Sequence, residues 1–322
     1  MAAVTVVTTT FKRPEYLKLA LESLVAQTFS DFEVLICDNA NETETAELVA
    51  SFNDDRFRYI GRPENLGLVG NALAGFQAVE SEFAVKLDDD DEFDERFLEL
   101  AVGALRDNPS AVLSFGPLTY IGSHSEPLPK KQAQEDSFRG AIPHGYLRPF
   151  LDYVLNGGVQ LNAAVIRTSA VDWHNLNIET ASAYDLHVLI EAAGDATAAI
   201  YVPEATVRYR IHPDSDTSRR LASQLRGRII SIDHALASDK TYDHAMLERY
   251  RLEAAVSLTR DLVRTGEQKE AREVIRPALG SAVEPTVLRL ALLTAIPNRI
   301  AGRISEWRLR RWKQSIPSDP TL

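Results

Sequence analysis

Apolar and polar positions follow a repeating order over the first 87 residues, in which short β-branched runs alternate with longer segments of helical spacing. The runs at 4–8, 32–37, 57–60 and 83–87 predict strands. The segments at 14–26, 43–52 and 67–79 carry apolar residues three or four positions apart and predict helices. Successive strand-helix units indicate an α/β fold with a doubly wound, mostly parallel sheet flanked by helices.

The rest of the chain departs from this pattern in two ways. Residues 116–158 contain five prolines and predict a loop-rich segment of the kind that forms lids or binds substrates. After residue 217 helix formers dominate, and 218–237, 242–265 and 268–279 predict amphipathic helices. We therefore expect an α/β domain at 1–217, divided near residue 115, and a helical C-terminal extension at 218–322.

Composition narrows the classes of partner and compartment. The net charge of −11 argues against a general nucleic-acid partner. The single cysteine, Cys37, excludes an intrachain disulfide and suits a reducing compartment. The N-terminal residues have the pattern of a strand rather than of a signal peptide, and no apolar run has the length of a membrane span. The composition predicts a cytoplasmic protein.

Four consecutive carboxylates, Asp88 to Asp91, follow the strand predicted at 83–87. Neighbouring carboxylates repel each other, so a divalent cation such as Mg²⁺ or Mn²⁺ would favour their ionised forms. A solvated acidic turn, or an acidic first helical turn, is the alternative interpretation. Asp38 also follows a predicted strand, which puts it at the same edge of a parallel sheet, where such folds bind ligands.

Several motifs in order along the chain resemble glycosyltransferase family 2. They are the segments 4–17, 21–29 and 32–39, NLGLVGN at 65–71, DDDD at 88–91, and VRYRIHP at 207–213. The resemblance covers about residues 4–217 and implies a GT-A-like fold, with nucleotide-sugar binding at about 1–115 and an acceptor and catalytic part at about 116–217.

The resemblance also implies roles for individual residues on the donor side. Thr9, Thr10 and Phe11 would cradle the base, Arg13 would approach the diphosphate or pack nearby, and Asn65 would bind the donor through its motif. Asp38 would accept hydrogen bonds from the base, while the turn-forming role common for such an aspartate remains the alternative.

Within the acidic run, the resemblance to an Asp-x-Asp motif assigns donor binding to Asp88 and Asp89 and metal binding to Asp90. Asp88 would address the ribose, and Asp91 would be a second metal contact or a support. Because four aspartates are consecutive, the register of the motif is open by one position.

Asp185 is the expected catalytic base. The pair Tyr184-Asp185 precedes a predicted helix and resembles the family's Glu-Asp motif, although Tyr184 stands where a glutamate is usual. An aspartate in a first helical turn also complements the helix dipole, which is the structural alternative. His212 lies where similar enzymes complete the metal site or contact the diphosphate; a loop histidine bonded to backbone is the alternative.

The segment 289–313 is strongly basic, with seven Arg and Lys residues against Glu306, and carries Trp307 and Trp312. Such a helix suits the surface of an anionic membrane, at the inner face of which the protein would be peripheral. Packing on the acidic body of the protein is the alternative. The helices predicted at 218–279 would support the α/β domain or form a homodimer contact.

Together these features predict an inverting glycosyltransferase that moves a sugar from a nucleoside-diphosphate sugar, UDP by default, to a hydroxyl acceptor such as a lipid-linked or polysaccharide precursor. The transfer would be a metal-assisted direct displacement. A sugar-nucleotide nucleotidyltransferase is the second candidate, but residues 8–13 (TTTFKR) lack the glycines expected of its N-terminal loop. A non-catalytic nucleotide-sugar-binding module is the third.

Overall fold

The computed structural model describes residues 2–139, 142–176, 178–194, 197–212, 221–279 and 285–295. Its strands are β1 (Val4–Thr10), β2 (Phe32–Asp38), β3 (Phe57–Gly61), β4 (Phe83–Asp88), β5 (Glu92–Phe93), β6 (Ala111–Phe115), β7 (Leu118–Ile121), β8 (Gly145–Leu147), β9 (Ala164–Arg167), β10 (Ala198–Tyr201) and β11 (Val207–Arg210). Its helices are α1 (Pro14–Val25), α2 (Thr43–Ser51), α3 (Gly67–Phe76), α4 (Phe97–Asp107), α5 (Pro129–Arg139), α6 (Leu151–Leu155), α7 (Tyr184–Ala192), α8 (Leu221–Ala237), α9 (His244–Thr265), α10 (Gln268–Ile275) and α11 (Pro285–Ala295).

A large sheet organises the described part of the chain, with eight strands in the order β3-β2-β1-β4-β9-β6-β10-β8. β1 pairs in parallel with β2 and β4, and β2 pairs in parallel with β3. β9 runs antiparallel to β4 and β6, and β8 runs antiparallel to β10. A smaller sheet has the order β5-β11-β7. The predicted α/β fold, a mostly parallel sheet flanked by helices, is confirmed.

The side chains of β4 alternate between the two faces of the large sheet. Phe83, Val85 and Leu87 join the core cluster that contains α1 and α4, whereas Ala84 joins the cluster that contains α3 and α7. Because successive side chains of a strand point to opposite faces, Lys86 lies on the same face as Ala84. The pleat therefore carries a lysine toward the face covered by α7.

The prediction of a loop-rich segment at 116–158 was wrong, because this region contains β7, α5, β8 and α6. Its prolines lie at the ends of these elements rather than inside them. Pro129 is the first residue of α5, a position at which proline's missing N–H removes no helical hydrogen bond, and Pro117 lies immediately before β7. The prolines mark boundaries between short elements.

The C-terminal extension begins with α8, which packs against the 3-10 segment Ile178–Ala183 that precedes α7. Gly227 permits this approach, since a Cβ there would lie 1.9 Å from the carbonyl oxygen of Thr180. α9 begins at the cap Asp243, which accepts a hydrogen bond of 2.9 Å from the Met246 N–H, and ends at Gly266 with a φ of 89°.

Some sequence predictions fall outside the described residues: the loop at 213–217, the start of the helix predicted at 218–237, and the basic segment from 296 onward. The membrane and dimer contacts expected of that segment and of the C-terminal helices stay predictions, as do the domain boundary at 217 and the cytoplasmic location. No helix in the described ranges combines the length and the apolar character needed to cross a bilayer.

Candidate active site

A cleft of about 590 Å³ opens beyond the carboxyl ends of β1, β2 and β4. This is the edge at which parallel α/β sheets bind their ligands. The residues that line it are Thr9, Thr10, Phe11, Arg13, Asn39, Asn65, Gly67, Leu68, Asn71, Lys86, Asp88, Asp89, Asp90, Gln160, Asn162, Tyr184, Asp185, Tyr209 and Gln224.

The four aspartates form a tight turn at the end of β4. The Asp91 N–H donates to the carbonyl oxygen of Asp88 at 3.1 Å, which closes the turn. Asp88, Asp89 and Asp90 line the cleft, whereas Asp91 is 1% exposed and points into the protein. The four residues therefore have different environments although their side chains are identical.

Asp91 and Arg210 anchor the turn from behind. The Asp91 carboxylate accepts hydrogen bonds from the Asn162 amide at 2.6 Å and from the Arg210 N–H at 2.9 Å. The buried Arg210 guanidinium donates to the carbonyl oxygens of Asp90 at 2.7 Å and Gly122 at 2.9 Å, and it pairs with the Glu92 carboxylate. Of the two expectations for Asp91, the geometry matches the support rather than a metal contact.

Asp90 contacts both a guanidinium group and an imidazole ring. Its Oδ2 accepts a hydrogen bond of 3.2 Å from Arg13 Nη1 and lies 2.9 Å from His212 Nε2. The His212 side chain is buried behind Asp90 and does not line the cleft, so it reaches the cleft only through Asp90. The contact suits a residue that orients Asp90, and the expected part of His212 in the metal site stays a prediction.

Burial and mutual repulsion raise the pKa of three carboxyl groups in the turn. Burial raises the pKa of Asp88 to about 6, with Lys86 opposing the shift. Burial, then the charge of Asp90, raises the pKa of Asp89 to about 8. Burial, followed by the charges of Asp90 and Asp88, also raises the pKa of Asp91 well above its usual range. An added cation beside the turn would favour the ionised forms.

Lys86 links the turn to the candidate base. Its Nζ lies 3.0 Å from Asp88 Oδ2 and 3.3 Å from each oxygen of Asp185. Burial alone lowers the pKa of the Lys86 amine, but the carboxylates of Asp185 and Asp88 outweigh burial and raise it well above its ordinary value. Lys86 is therefore a buried cation held between two carboxylates.

Asp38 does not reach the cleft. Its carboxylate is fully buried and accepts hydrogen bonds from the backbone N–H groups of Ala40 and Glu42 at 2.9 Å and from the Tyr59 hydroxyl at 2.8 Å. The turn-forming alternative fits this position, and the base contact implied by the resemblance does not. The next residue, Asn39, lines the cleft instead and donates to Asn65 Oδ1 at 2.7 Å.

Next to Asp38 in β2 is Cys37, the only cysteine of the chain, which is fully buried. Its carbonyl oxygen accepts a hydrogen bond of 2.8 Å from the Asn71 amide, and its Sγ lies 3.6 Å from an Arg62 guanidinium nitrogen. Burial raises the pKa of the thiol despite the nearby charge of Arg62. Cys37 is a core residue of β2.

The structure brings most of the expected site residues together. Those that line the cleft are Thr9, Thr10, Phe11, Arg13, Asn65, Asp88, Asp89, Asp90 and Asp185. Sequence reasoning missed Lys86, Asn39 and Gln224. A signal existed for Lys86, because it is a lone charge in a central strand. None existed for Gln224, which α8 brings to the cleft from the region expected to be a separate extension.

Comparisons with known proteins show the family to which the chain belongs. The profile of Glycosyl transferase family 2 matches residues 5–172, more than half of the chain. The chain is 33% identical over 95 residues to a GalNAc(5)-diNAcBac-PP-undecaprenol beta-1,3-glucosyltransferase of Campylobacter jejuni, an alignment that covers 29% of this chain and 31% of the relative. An uncharacterized glycosyltransferase of Methanocaldococcus jannaschii is 26% identical over 140 residues, or 42% of this chain and 48% of the relative. The matches thus span one third to one half of these curated relatives.

Solved structures share the fold. TarS 1–349 of S. aureus in complex with UDP-GlcNAc aligns with a TM-score of 0.67 and 17% identity over 96% of this chain and 91% of that chain. The mannosyltransferase PcManGT of Pyrobaculum calidifontis, in complex with GDP-Man and Mn²⁺, aligns with a TM-score of 0.56 and 14% identity over 99% of this chain and 88% of that chain.

The fold and the family profile define a glycosyltransferase of the GT-A type. The chain belongs to glycosyl transferase family 2, as the order of its motifs predicts. Membership of this family disfavours the nucleotidyltransferase and the non-catalytic module that the sequence left as alternatives.

Proposed function

We propose that this protein is an inverting glycosyltransferase in which Asp185 is the general base and the turn Asp88–Asp90 binds the donor, a nucleoside-diphosphate sugar. The observation that carries the proposal is that Asp185 and three aspartates of the turn line one cleft, although residues 90 and 185 are far apart in sequence. A cleft of about 590 Å³ is within the usual range for small-molecule sites.

Asp185 has the exposure that a base requires. Its side chain is 43% exposed, whereas those of Asp89 and Asp90 are 8% and 18% exposed. In the proposed step, Asp185 removes the proton of the acceptor hydroxyl while that oxygen forms a bond to the anomeric carbon. The bond from this carbon to the diphosphate breaks, the electron pair leaves with the nucleoside diphosphate, and the proton remains on Asp185.

A divalent cation fits the donor side of this cleft. No group of three or more His, Cys, Asp or Glu side chains in the described ranges is arranged to hold a metal ion by itself. Mg²⁺, however, commonly uses one or two carboxylates and completes its shell with water and substrate phosphates. Asp90 would hold the cation, with His212 orienting the carboxylate, and the bound cation would stabilise charge on the leaving diphosphate.

The relatives suggest the classes of donor and acceptor. One solved neighbour is in complex with UDP-GlcNAc and another with GDP-Man and Mn²⁺. We propose a UDP-sugar as the default donor. The Campylobacter relative is named for a PP-undecaprenol-linked sugar, which supports a lipid-linked or polysaccharide precursor as the acceptor here.

Asp185→Asn tests the assignment of the base. We expect it to bind donor as the wild type does while transfer falls by about 10²–10⁴-fold, the usual contribution of general-base catalysis. Asp55→Asn is the matched control, because Asp55 is exposed and does not line the cleft. Transfer at the wild-type rate by Asp185→Asn, measured by release of nucleoside diphosphate, would show that Asp185 is not the base.

A thermal-shift panel identifies the donor and the cation. UDP-, GDP- and dTDP-sugars are added with Mn²⁺ or with EDTA, since a ligand that binds only the folded state raises its stability. We expect one nucleotide to raise the melting temperature in a Mn²⁺-dependent way, and Asp90→Asn to remove the Mn²⁺ dependence. An equal shift in EDTA would contradict the metal assignment while leaving Asp185 as the base.

A further inference from the structure

We propose that Lys86 is a positioning residue for the transfer step, which holds the Asp185 carboxylate at a fixed distance from Asp88. This inference rests on the proposed function, in which Asp185 is the base and Asp88 belongs to the donor side. The juxtaposition that carries it is a buried ammonium in contact with both carboxylates across the cleft.

The contact with Asp185 is symmetric. Lys86 Nζ lies 3.3 Å from Oδ1 and 3.3 Å from Oδ2, so the ammonium bisects the carboxylate. The Asp185 side chain is 43% exposed, and an exposed aspartate samples several rotamers unless a partner selects one. The charge-assisted contact selects the rotamer that faces Lys86.

The ammonium itself has little freedom to move. The Lys86 side chain is 5% exposed and leaves from β4, which β1 and β9 flank in the large sheet. Its Nζ lies 5.0 Å from the centre of the Tyr184 ring, within the range of a cation–π contact. A buried charge is costly unless it is paired, so the lysine stays between its two carboxylates.

The pleat of β4 fixes the second contact. Residues two apart in a strand lie on the same face, which places Asp88 beside Lys86, and Nζ lies 3.0 Å from Asp88 Oδ2. One side chain thereby sets the spacing between the donor side and the base. It also offsets the repulsion between two carboxylates that share the cleft. Tyr184, at the position where the family has a glutamate, covers the lysine with an uncharged ring.

The test is a double-mutant cycle between Lys86→Met and Asp185→Asn. Lys86→Met keeps an unbranched side chain and removes the ammonium. We expect kcat to fall by about 100-fold, the loss that a misplacement of about 1 Å produces, with a much smaller change in the donor KM. In the Asp185→Asn background we expect Lys86→Met to lower transfer by less than about 3-fold, because the two residues act as one unit.

Two further variants distinguish a specific role of Lys86 from misfolding or from the loss of any ion pair of α7. Lys86→Arg keeps the positive charge but replaces the ammonium with a planar guanidinium. We expect this variant to fold and to restore part of the kcat lost in Lys86→Met. We also expect its effect on transfer to depend on Asp185 in the same way. If Lys86→Met does not fold, Lys86→Arg replaces it in the double-mutant cycle with Asp185→Asn. Lys240→Met is the matched control, because Lys240 pairs with Glu191 at 2.8 Å near the other end of α7 and does not line the cleft.

The outcomes separate the two proposals. If the losses from Lys86→Met and Asp185→Asn multiply in the double variant, Lys86 does not act through Asp185, and only the positioning role is overturned. A loss of kcat in Lys240→Met as large as that in Lys86→Met overturns it as well, since any ion pair of α7 would then suffice. Wild-type transfer by Asp185→Asn overturns the base assignment, and with it the role of Lys86.

Discussion

The two walls of the cleft are built in different ways. The donor wall, defined as residues 88–91 with Arg210 and His212, is held from behind by a buried network that includes Asn162 and Glu92. The base wall, defined as Lys86, Tyr184 and Asp185, is held by one ammonium and by the packing of α8 against the segment before α7. The donor wall thus depends on a connected buried network and the base wall on fewer contacts, so changes behind the first should lower stability most and changes behind the second should also lower the rate of transfer.

Removing the anchor of the donor wall should produce the largest loss of stability. Arg210→Met leaves the Glu92 carboxylate and the carbonyl oxygens of Asp90 and Gly122 without their buried donor, and breaking such a buried pair costs about 3–5 kcal/mol. We expect the free energy of unfolding, measured with denaturant, to fall by this amount.

Arg208→Met is the control for this prediction, because Arg208 pairs with the same glutamate at 2.7 Å from a side chain that is 38% exposed. Because solvent screens the half-exposed Arg208 guanidinium more than the buried Arg210 guanidinium, we expect a smaller loss from Arg208→Met than from Arg210→Met. Equal losses in the two variants would show that the network behind the donor wall is not what holds it.

Acid should weaken the base wall through His187 of α7. Burial, followed by the charge of His234, lowers the pKa of His187 to about 4, whereas an unfolded histidine titrates near 6.5. The unfolded chain therefore binds more protons between these values, and stability falls as the pH falls through this window. The loss between pH 7 and pH 5 should be about 2 kcal/mol.

Denaturant unfolding of the wild type and of His187→Gln at both pH values measures this contribution. The imidazole faces His234, which in turn contacts Glu191, and Lys240 pairs with the same glutamate, so the comparison keeps all three residues in place. We expect the variant to lose less stability on acidification than the wild type. An identical loss would assign the acid sensitivity to other groups.

Gly227→Ala should disturb the packing behind the base wall. The added Cβ would lie 1.9 Å from the Thr180 carbonyl oxygen and 2.8 Å from the Ala183 Cβ, so α8 must move away from the segment that leads into α7. Overpacking of this kind costs about 1–3 kcal/mol. Because Asp185 lies in the first turn of α7, we also expect kcat to fall more than the donor affinity.

Gly103→Ala provides the matched comparison, since Gly103 lies within α4 and a Cβ there meets no atom within 4 Å. Replacing a helical glycine with alanine under such conditions stabilises by about 0.5–1 kcal/mol. If both glycine variants change unfolding and transfer alike, the close approach of α8 does not support the base wall.

The donor wall was largely predictable from the sequence and the base wall was not. The strand patterns placed Asp88 at the end of β4, and the order of the motifs added Asp90, Arg13 and Asn65. Three details of the donor side needed coordinates: Asp38 lies in a turn, Asn39 takes its place at the cleft, and His212 lies behind Asp90. Local pattern cannot decide which of two adjacent polar residues faces a cleft.

The base wall depends on contacts between distant segments. Lys86 and Asp185 are separated by 99 positions, and periodicity contains no information on such a contact. Gln224 reaches the cleft because Gly227 lets α8 approach Thr180, which only the packed structure reveals. The segment 116–158 was predicted to be loop-rich because composition does not distinguish prolines at the ends of short helices and strands from prolines in loops.

The burial of Cys37 has a practical consequence for labelling the protein. The chain carries one thiol, and it lies in the core of β2 with a raised pKa, so maleimide and iodoacetamide reagents should react with it slowly in the folded protein. A cysteine introduced on an exposed face of α8 would be the reactive one. A fluorophore attached there would report on the packing of α8 beside the cleft without removal of the native residue.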